Sequence, residues 1–236
     1  MKKNIIITGA SNGIGFETAL ELSKDENNFI VAIGRSLENL KRLHTIGKQL
    51  NPDCQILPVQ FDIVSGDYEQ GLIPFLAQKV GKINILINNA GTLINKPFLE
   101  HSAEDFYSMF ESNVLGHVKM IQTIVPIMEK DAHILNIGSM SGFQGSEKFT
   151  GLSAYAASKS ALHSLTECLA VELKEHSIHV NALALGSVQT DMLEQSMPGI
   201  SAGTMAFEMG KYIADFALHS GKVMNGKVIP VALTTP

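Results

Sequence analysis

Residues 1–15, MKKNIIITGASNGIG, pass from a short apolar run, Ile5 to Ile7, straight into Gly9, Gly13 and Gly15. This reads as strand, glycine turn and helix, because an amphipathic stretch follows from Ile14 to Leu22. Such a turn gathers free backbone N–H groups and the positive end of a helix dipole in one place, which is a site for a pyrophosphate. Each glycine meets a steric demand: a tight turn at Gly9, close approach of phosphate near Gly13, close helix–strand packing at Gly15. The spacing is Gly-x-x-x-Gly-x-Gly, not Gly-x-Gly-x-x-Gly, and a glycine-rich turn that binds nothing can carry the same letters.

Outward from that turn, strand-like runs alternate with longer helical patterns: Ile5–Thr8, Phe29–Ile33, Gln55–Phe61, Ile83–Asn88, His133–Ile137, His179–Ala184 and Val228–Val231. Connections long enough to hold helices predict one α/β domain over residues 1–236, doubly wound, with a seven-stranded, mostly parallel sheet and helices on both faces. The ligand crevice of such a sheet lies at the strand carboxyl ends, where the glycine turn, Asp62, Asn88 and Ser139 all fall. Gly142–Ser153 and Met192–Gly210 are the least regular stretches, and Pro230 assigns the last strand to an edge or a free side.

The run SAYAASKSAL sets Tyr155 and Lys159 four residues apart in a helix-favouring context, hence on one face. A free phenol ionises near pH 10, and lowering that by about three units requires roughly 4 kcal/mol of differential stabilisation from the neighbouring cation. The expected result is an acid and base usable near neutrality. Tyr-x-x-x-Lys by itself also describes solvated helix surface.

Five ordered segments go further: TGASNGIG, INNAG at Ile87–Gly91, ESNVLG around Asn113, NIGSMSG around Ser139, and YAASK. Together they resemble the short-chain dehydrogenase/reductase family in its short single-domain branch, over essentially the whole chain. The resemblance implies a Rossmann-type oxidoreductase that moves hydride between a nicotinamide cofactor and a carbonyl or alcohol. It implies Ser139, Tyr155 and Lys159 as the catalytic set, with Asn113 holding a water in the proton relay. Tyr155 exchanges the proton, Lys159 stabilises the phenolate and bonds the nicotinamide ribose, and Ser139 fixes the substrate oxygen. The implied cofactor contacts come from Gly9, Ser11, Asn12, Gly13, Ile14 and Gly15, then Arg35 and Ser36, then Asp62 and Ile63. Asn89, Ala90 and Gly91, the pair Tyr155 and Lys159, and Val188 and Thr190 in NALALGSVQTDM complete that set.

This chain departs from the family at several points. Leu185 stands where many relatives have Pro, which is expected to loosen the following loop. GFQGSEKFTGLSA, between Ser139 and Tyr155, is longer than in many relatives, so Phe143, Gln144 and Phe149 either shape the pocket or form a surface bulge. Met192, Met197, Met205 and Met209 occupy the family's substrate lid, as lining or as ordinary packing. GKVIPVALTTP lacks the common Asp-Gly-Gly ending.

Cofactor choice is written at the end of the second strand: Val31, Ala32, Ile33, Gly34, Arg35, Ser36. No carboxylate stands where it would bind a ribose 2′-hydroxyl; Gly34 leaves room, and Arg35 offers a planar cation suited to a 2′-phosphate. This favours NADP (NADPH) over NAD, although Asn12 occupies the place of a basic residue in many NADP-preferring relatives. An NAD-linked alcohol dehydrogenase on the same fold and a non-catalytic NADP-binding sensor are the competing readings.

At 236 residues and 45% hydrophobic, the chain suits one large α/β core. A net charge of −5 without a basic run argues against nucleic acid and anionic membrane as partners. No apolar run approaches the roughly 18 residues that span a bilayer, and no room precedes the first strand for a signal peptide, so a cytoplasmic location is expected. Cys54 and Cys168 read as free thiols, and the eight His residues give no metal signature. Apolar faces over Phe106–Met128 and Ala156–Leu173 suit a homodimer or homotetramer contact, or simply core.

Overall fold

The computed structural model describes residues 2–233, so the ends of the expected 1–236 domain and the last three residues of the carboxyl segment lie outside the described residues. Among the described residues seven strands form the sheet: β1 (Lys3–Thr8), β2 (Asn28–Gly34), β3 (Gln55–Gln60), β4 (Ile83–Asn88), β5 (Met128–Ser139), β6 (Ile178–Leu185) and β7 (Val228–Val231). Their order is β3-β2-β1-β4-β5-β6-β7, and every pairing is parallel. All seven expected strands are present. The sheet is wholly rather than mostly parallel, because every connection is long enough for a crossover.

Alternation along each strand divides the core in two. Ile5, Ile7, Ile30 and Ala32 face α1 (Gly13–Leu22), α2 (Leu37–Leu50) and α8 (Ala206–His219), through Leu20, Leu40, Leu43 and Ile213. Ile6, Val31, Ile33 and Leu86 face α3 (Ile73–Lys79), α5 (Gly116–Ile124) and α6 (Ser153–Glu172), through Leu76, Met120, Ile121 and Ala170. Strands buried on both faces therefore read as unbroken apolar runs. Chain order turns back between β1 and β4, which opens a crevice at their carboxyl ends.

Three stretches differ from expectation. Strand β5 begins five residues before His133, although Glu129 to Asp131 are exposed and Asp131 is left-handed at φ 61°. The helix expected over 106–128 is α4 (Ala103–Phe110), a π-helical turn at Glu111–Leu115, then α5, which gives way to a short 3₁₀ turn containing Pro126. Within 192–210, expected to be irregular, lies α7 (Asp191–Ser196), started by the Thr190 hydroxyl, which accepts from Leu193 N at 3.3 Å. Pro230 sits exposed on β7, an edge strand.

Candidate active site

The glycine turn after β1 is held open by geometry only glycine adopts easily: Gly9 has φ 68° and Gly13 φ 56°. A Cβ on Gly9 would stand 2.7 Å from Ala90 Cα, and one on Gly13 would meet Thr190 Cγ2 at 3.4 Å. Thr8 Oγ1 accepts from Asn89 N (3.0 Å) and Ala90 N (3.1 Å), and Asn89 Nδ2 donates to Thr8 O and Gly9 O. INNAG is thereby fastened to the turn. Asn12 occupies the N-cap of α1 but makes no capping bond, and the first turn of α1 carries no acidic residue. Its N–H groups thus remain available to an anion, with Ser11 and Ile14 half-buried beside them. This cradle fits a pyrophosphate.

Arg35 is exposed beyond β2, its carbonyl accepting from Gln60 Nε2 at 3.0 Å. Ser36 caps α2 by accepting from Asn39 N, which leaves its hydroxyl proton to donate elsewhere. Asp62 Oδ1 accepts from Val64 N at 2.9 Å, a local turn role, and Ile63 is buried with its carbonyl bonded by the Tyr68 hydroxyl at 2.7 Å. Gly91 brings the end of INNAG against Asn113 Oδ1 and Lys159 Nζ. Val188 is buried and Thr190 half-buried, so the segment after β6 comes back over the glycine turn. Leu185 ends β6 inside the ladder, paired with Ser139 on one side and Val231 on the other.

Ser139, Tyr155, Lys159 and Asn113 converge beside that cradle. Ser139 ends β5; its Oγ accepts from Ser141 N at 3.2 Å and stands near enough to the Tyr155 hydroxyl to pull its pKa down. Lys159 is nearly fully buried, with Nζ donating to Ile137 O at 2.8 Å and lying 5.8 Å from the Tyr155 ring centroid. Asn113 is wholly buried in the π-helical turn, accepting from Thr92 N (2.9 Å) and donating to Thr92 O and Ser158 Oγ (3.0 Å each). Ser158 Oγ in turn donates to Tyr155 O at 2.7 Å. The Asn113 amide therefore clamps the loop after β4 to α6.

The electrostatics correct the expected acid phenol. Burial pushes the Tyr155 pKa up, opposed only in part by the Ser139 hydrogen bond. Burial likewise pulls Lys159 down to about 8. No pull from the Lys159 cation offsets that desolvation, since the ammonium donates to the Ile137 carbonyl rather than to the phenol.

Two residues that the sequence reading left unassigned flank Lys159. His117 lies one helical turn beyond Asn113, wholly buried, with neither ring nitrogen in a hydrogen bond of good geometry. His163 lies one turn beyond Lys159 and packs against Gly138 and Phe143. Burial, reinforced by the Lys159 charge, holds His117 at about 3 and His163 at about 4, so both are neutral. The i, i+4 spacing of Asn113 with His117 and of Lys159 with His163 was the available signal.

The long segment after Ser139 is tied down by Lys148, whose Nζ donates to Ser141 O, Phe143 O and Ser146 Oγ. Phe149 and Phe98 border a cleft of about 400 Å³ floored by Leu152 and Ala156, while Gln144 is exposed. Of the four methionines, Met209 is core, Met197 is half-buried, Met192 and Met205 are exposed, and α7 is pinned by Asn95 Nδ2 donating to Ser196 O at 2.8 Å. Cys54 is buried and Cys168 exposed, both free. Among the described residues no group of His, Cys, Asp or Glu could hold a metal, and no helix is long and apolar enough to cross a membrane.

Comparison with known proteins agrees with this fold. Residues 3–200 match the short chain dehydrogenase family profile. An uncharacterized oxidoreductase of Staphylococcus epidermidis is 30% identical over 195 residues, covering 82% of this chain and 81% of its own length. The uncharacterized oxidoreductase YusZ of Bacillus subtilis is 32% identical over 200 residues, covering 83% and 69%. Among solved structures, a 7α-hydroxysteroid dehydrogenase complexed with NADH and 7-oxo glycochenodeoxycholic acid superposes with a TM-score of 0.87 at 27% identity, covering 99% of this chain and 94% of that one. The family profile covers most of the chain, and a solved dehydrogenase superposes on nearly all of its wholly parallel doubly wound sheet and flanking helices; the chain belongs to the short-chain dehydrogenase family of NAD(P)-linked oxidoreductases.

Proposed function

We propose that this protein is an NADPH-dependent carbonyl reductase, one domain over residues 1–236, acting in the cytoplasm as a homodimer or homotetramer. The observation that carries the reading is the convergence of Ser139, Tyr155 and Lys159 next to an anion cradle whose helix N-terminus is uncapped. When bound, the cofactor supplies the hydride. Tyr155 gives its proton to the substrate oxygen, and takes one in the reverse direction, while Ser139 donates to that oxygen and fixes its position. Lys159 spends one of its three donors on Ile137 O and keeps two for the phenolate and the nicotinamide ribose. Both hydrogens of the Asn113 amide are engaged, so a relay water there is left the second lone pair of Oδ1 and the main-chain carbonyls of the π-helical turn.

Exposed Arg35 supports NADP, as does the lack of any carboxylate at the end of β2. NAD linkage is the second reading, favoured by the NADH in the 7α-hydroxysteroid dehydrogenase structure. The test is oxidation of NADPH and NADH across aldehydes, ketones, diketones, quinones and β-ketoacyl thioesters. Turnover with NADPH alone supports the proposal; turnover with NADH alone replaces it. Tyr155→Phe is expected to abolish turnover with cofactor affinity nearly unchanged, and retained activity would overturn the assignment.

A further inference from the structure

An asparagine at a helix N-cap ordinarily spends its carboxamide on the first turn of its own helix. Asn12 does not: its Oδ1 instead accepts from Asn39 Nδ2, 27 residues away, at 2.6 Å. Asn39 lies in the first turn of α2, where its backbone N–H donates to the Ser36 capping oxygen. The two asparagines thus tie the start of α1 to the start of α2 across the carboxyl ends of β1 and β2, and Arg35 and Ser36 lie beside that tie. The tie also fixes which way the Asn12 amide faces. With Oδ1 held by Asn39, the Asn12 NH₂ is the end left over, and it donates to nothing among the described residues.

Resting on the NADP reading above, we propose that Asn39 is a specificity-determining residue: it holds Asn12 so that the Asn12 NH₂ is presented to the 2′-phosphate of an adenosine ribose, replacing with a neutral donor the cation this position lacks. Arg35 supplies the charge, and the Ser36 hydroxyl and the N-terminus of α2 add a donor and a dipole. Glu38, exposed in the same turn, opposes an anion there, which makes the orientation of the neutral donor matter more. Asn39 acts through Asn12 and is a positioning residue.

The ligands for the test are adenosine 2′,5′-bisphosphate and 5′-AMP, which differ only in the 2′-phosphate, titrated calorimetrically into the whole protein. The wild type is expected to prefer the bisphosphate. Asn39→Ala is expected to weaken the bisphosphate about tenfold, the loss of one oriented hydrogen bond to a charged group, and to leave 5′-AMP unchanged. Asn39→Asp is expected to weaken it more, because a carboxylate there recruits the Asn12 NH₂ and turns its oxygen toward the phosphate. Combining Asn12→Ala with Asn39→Ala is expected to cost no more than Asn12→Ala alone. Equal weakening of both ligands by Asn39→Ala, or no weakening of either, overturns the role of Asn39 while the NADP reading stands. A wild type without preference for the bisphosphate overturns the NADP reading, and this inference with it.

Discussion

Lys159 is kept at a cost to the fold. Its ammonium is held near pKa 8 by burial, against 10.5 for a free lysine, so below pH 8 the folded protein carries a charge it would rather shed. The differential is about 3 kcal/mol. Its sign follows from proton counts. Between pH 8 and 10.5 the unfolded chain binds the proton and the folded chain does not, so stability rises with pH across that window. Lys159→Met, close in shape, is therefore expected to stabilise the protein at pH 7 by an amount approaching that figure while abolishing turnover. In urea melts the gap between variant and wild type should close as pH climbs toward 10. A variant less stable than wild type at pH 7 would mean that the bond to Ile137 O outweighs the desolvation.

At the scale of elements, the strands were legible and some of the connections were not. Parallel strands buried on both faces announce themselves as runs such as Ile5–Ile7, whatever packs against them. Strand β5 escaped over Met128–Ala132 because Glu129, Lys130 and Asp131 look like loop, and the pairings on either side of them, Met128 with Ile83 and Ala132 with Ile178, carry the strand through. The π-helical turn at Asn113 escaped because a one-residue widening leaves the apolar pattern of α4 and α5 almost intact. The site residues were placed by their motifs. Their neighbours His117, Ser158 and His163 were not, since their partners come from distant segments. The segment between Ser139 and Tyr155 illustrates such dependence: one cation there meets three oxygens, beside the Ser146 hydroxyl that bonds Met140 O and Phe143 O. Lys148→Met removes those bonds and is expected to cost the whole fold only about 1 kcal/mol, because Lys148 is solvent-exposed. Limited proteolysis should nevertheless cut residues 143–151 far faster in the variant, and an unchanged cutting rate would show that the segment is held by other contacts.

Over the whole molecule, three buried neutral imidazoles set the response to acid. His117 is held at about 3, His133 and His163 at about 4, each chiefly by burial. An unfolded histidine takes its proton near 6.5, so as pH falls below that value the unfolded chain gains protons that the folded chain refuses until about 4. The histidines' contribution to stability is thus complete above about pH 6.5 and lost progressively toward pH 4, with a limiting slope near 4 kcal/mol per pH unit if all three titrate together. Asp105, held at about 2 by hydrogen bonds from Ser102 and Lys96, adds its own loss only below the ordinary carboxylate range. The histidines separate by their partners. His133 is fully matched as a neutral ring, Nδ1 donating to Ala217 O and Nε2 accepting from Asn181 Nδ2, both at 3.1 Å. Replacing it by Leu leaves Ala217 O unpaired, so the variant is expected to lose about 2 kcal/mol at pH 7. His117 has no hydrogen bond of good geometry to lose, its one hydrogen-bonding neighbour being the Ala90 backbone. His117→Leu is expected to be as stable as wild type at pH 7 or more so, and to take up one fewer proton on unfolding between pH 4 and 6.5. Urea midpoints measured across that range read both quantities at once. A His117→Leu protein with the full wild-type slope would mean that His117 is already charged in the native state, paired with a group that its buried surroundings do not reveal.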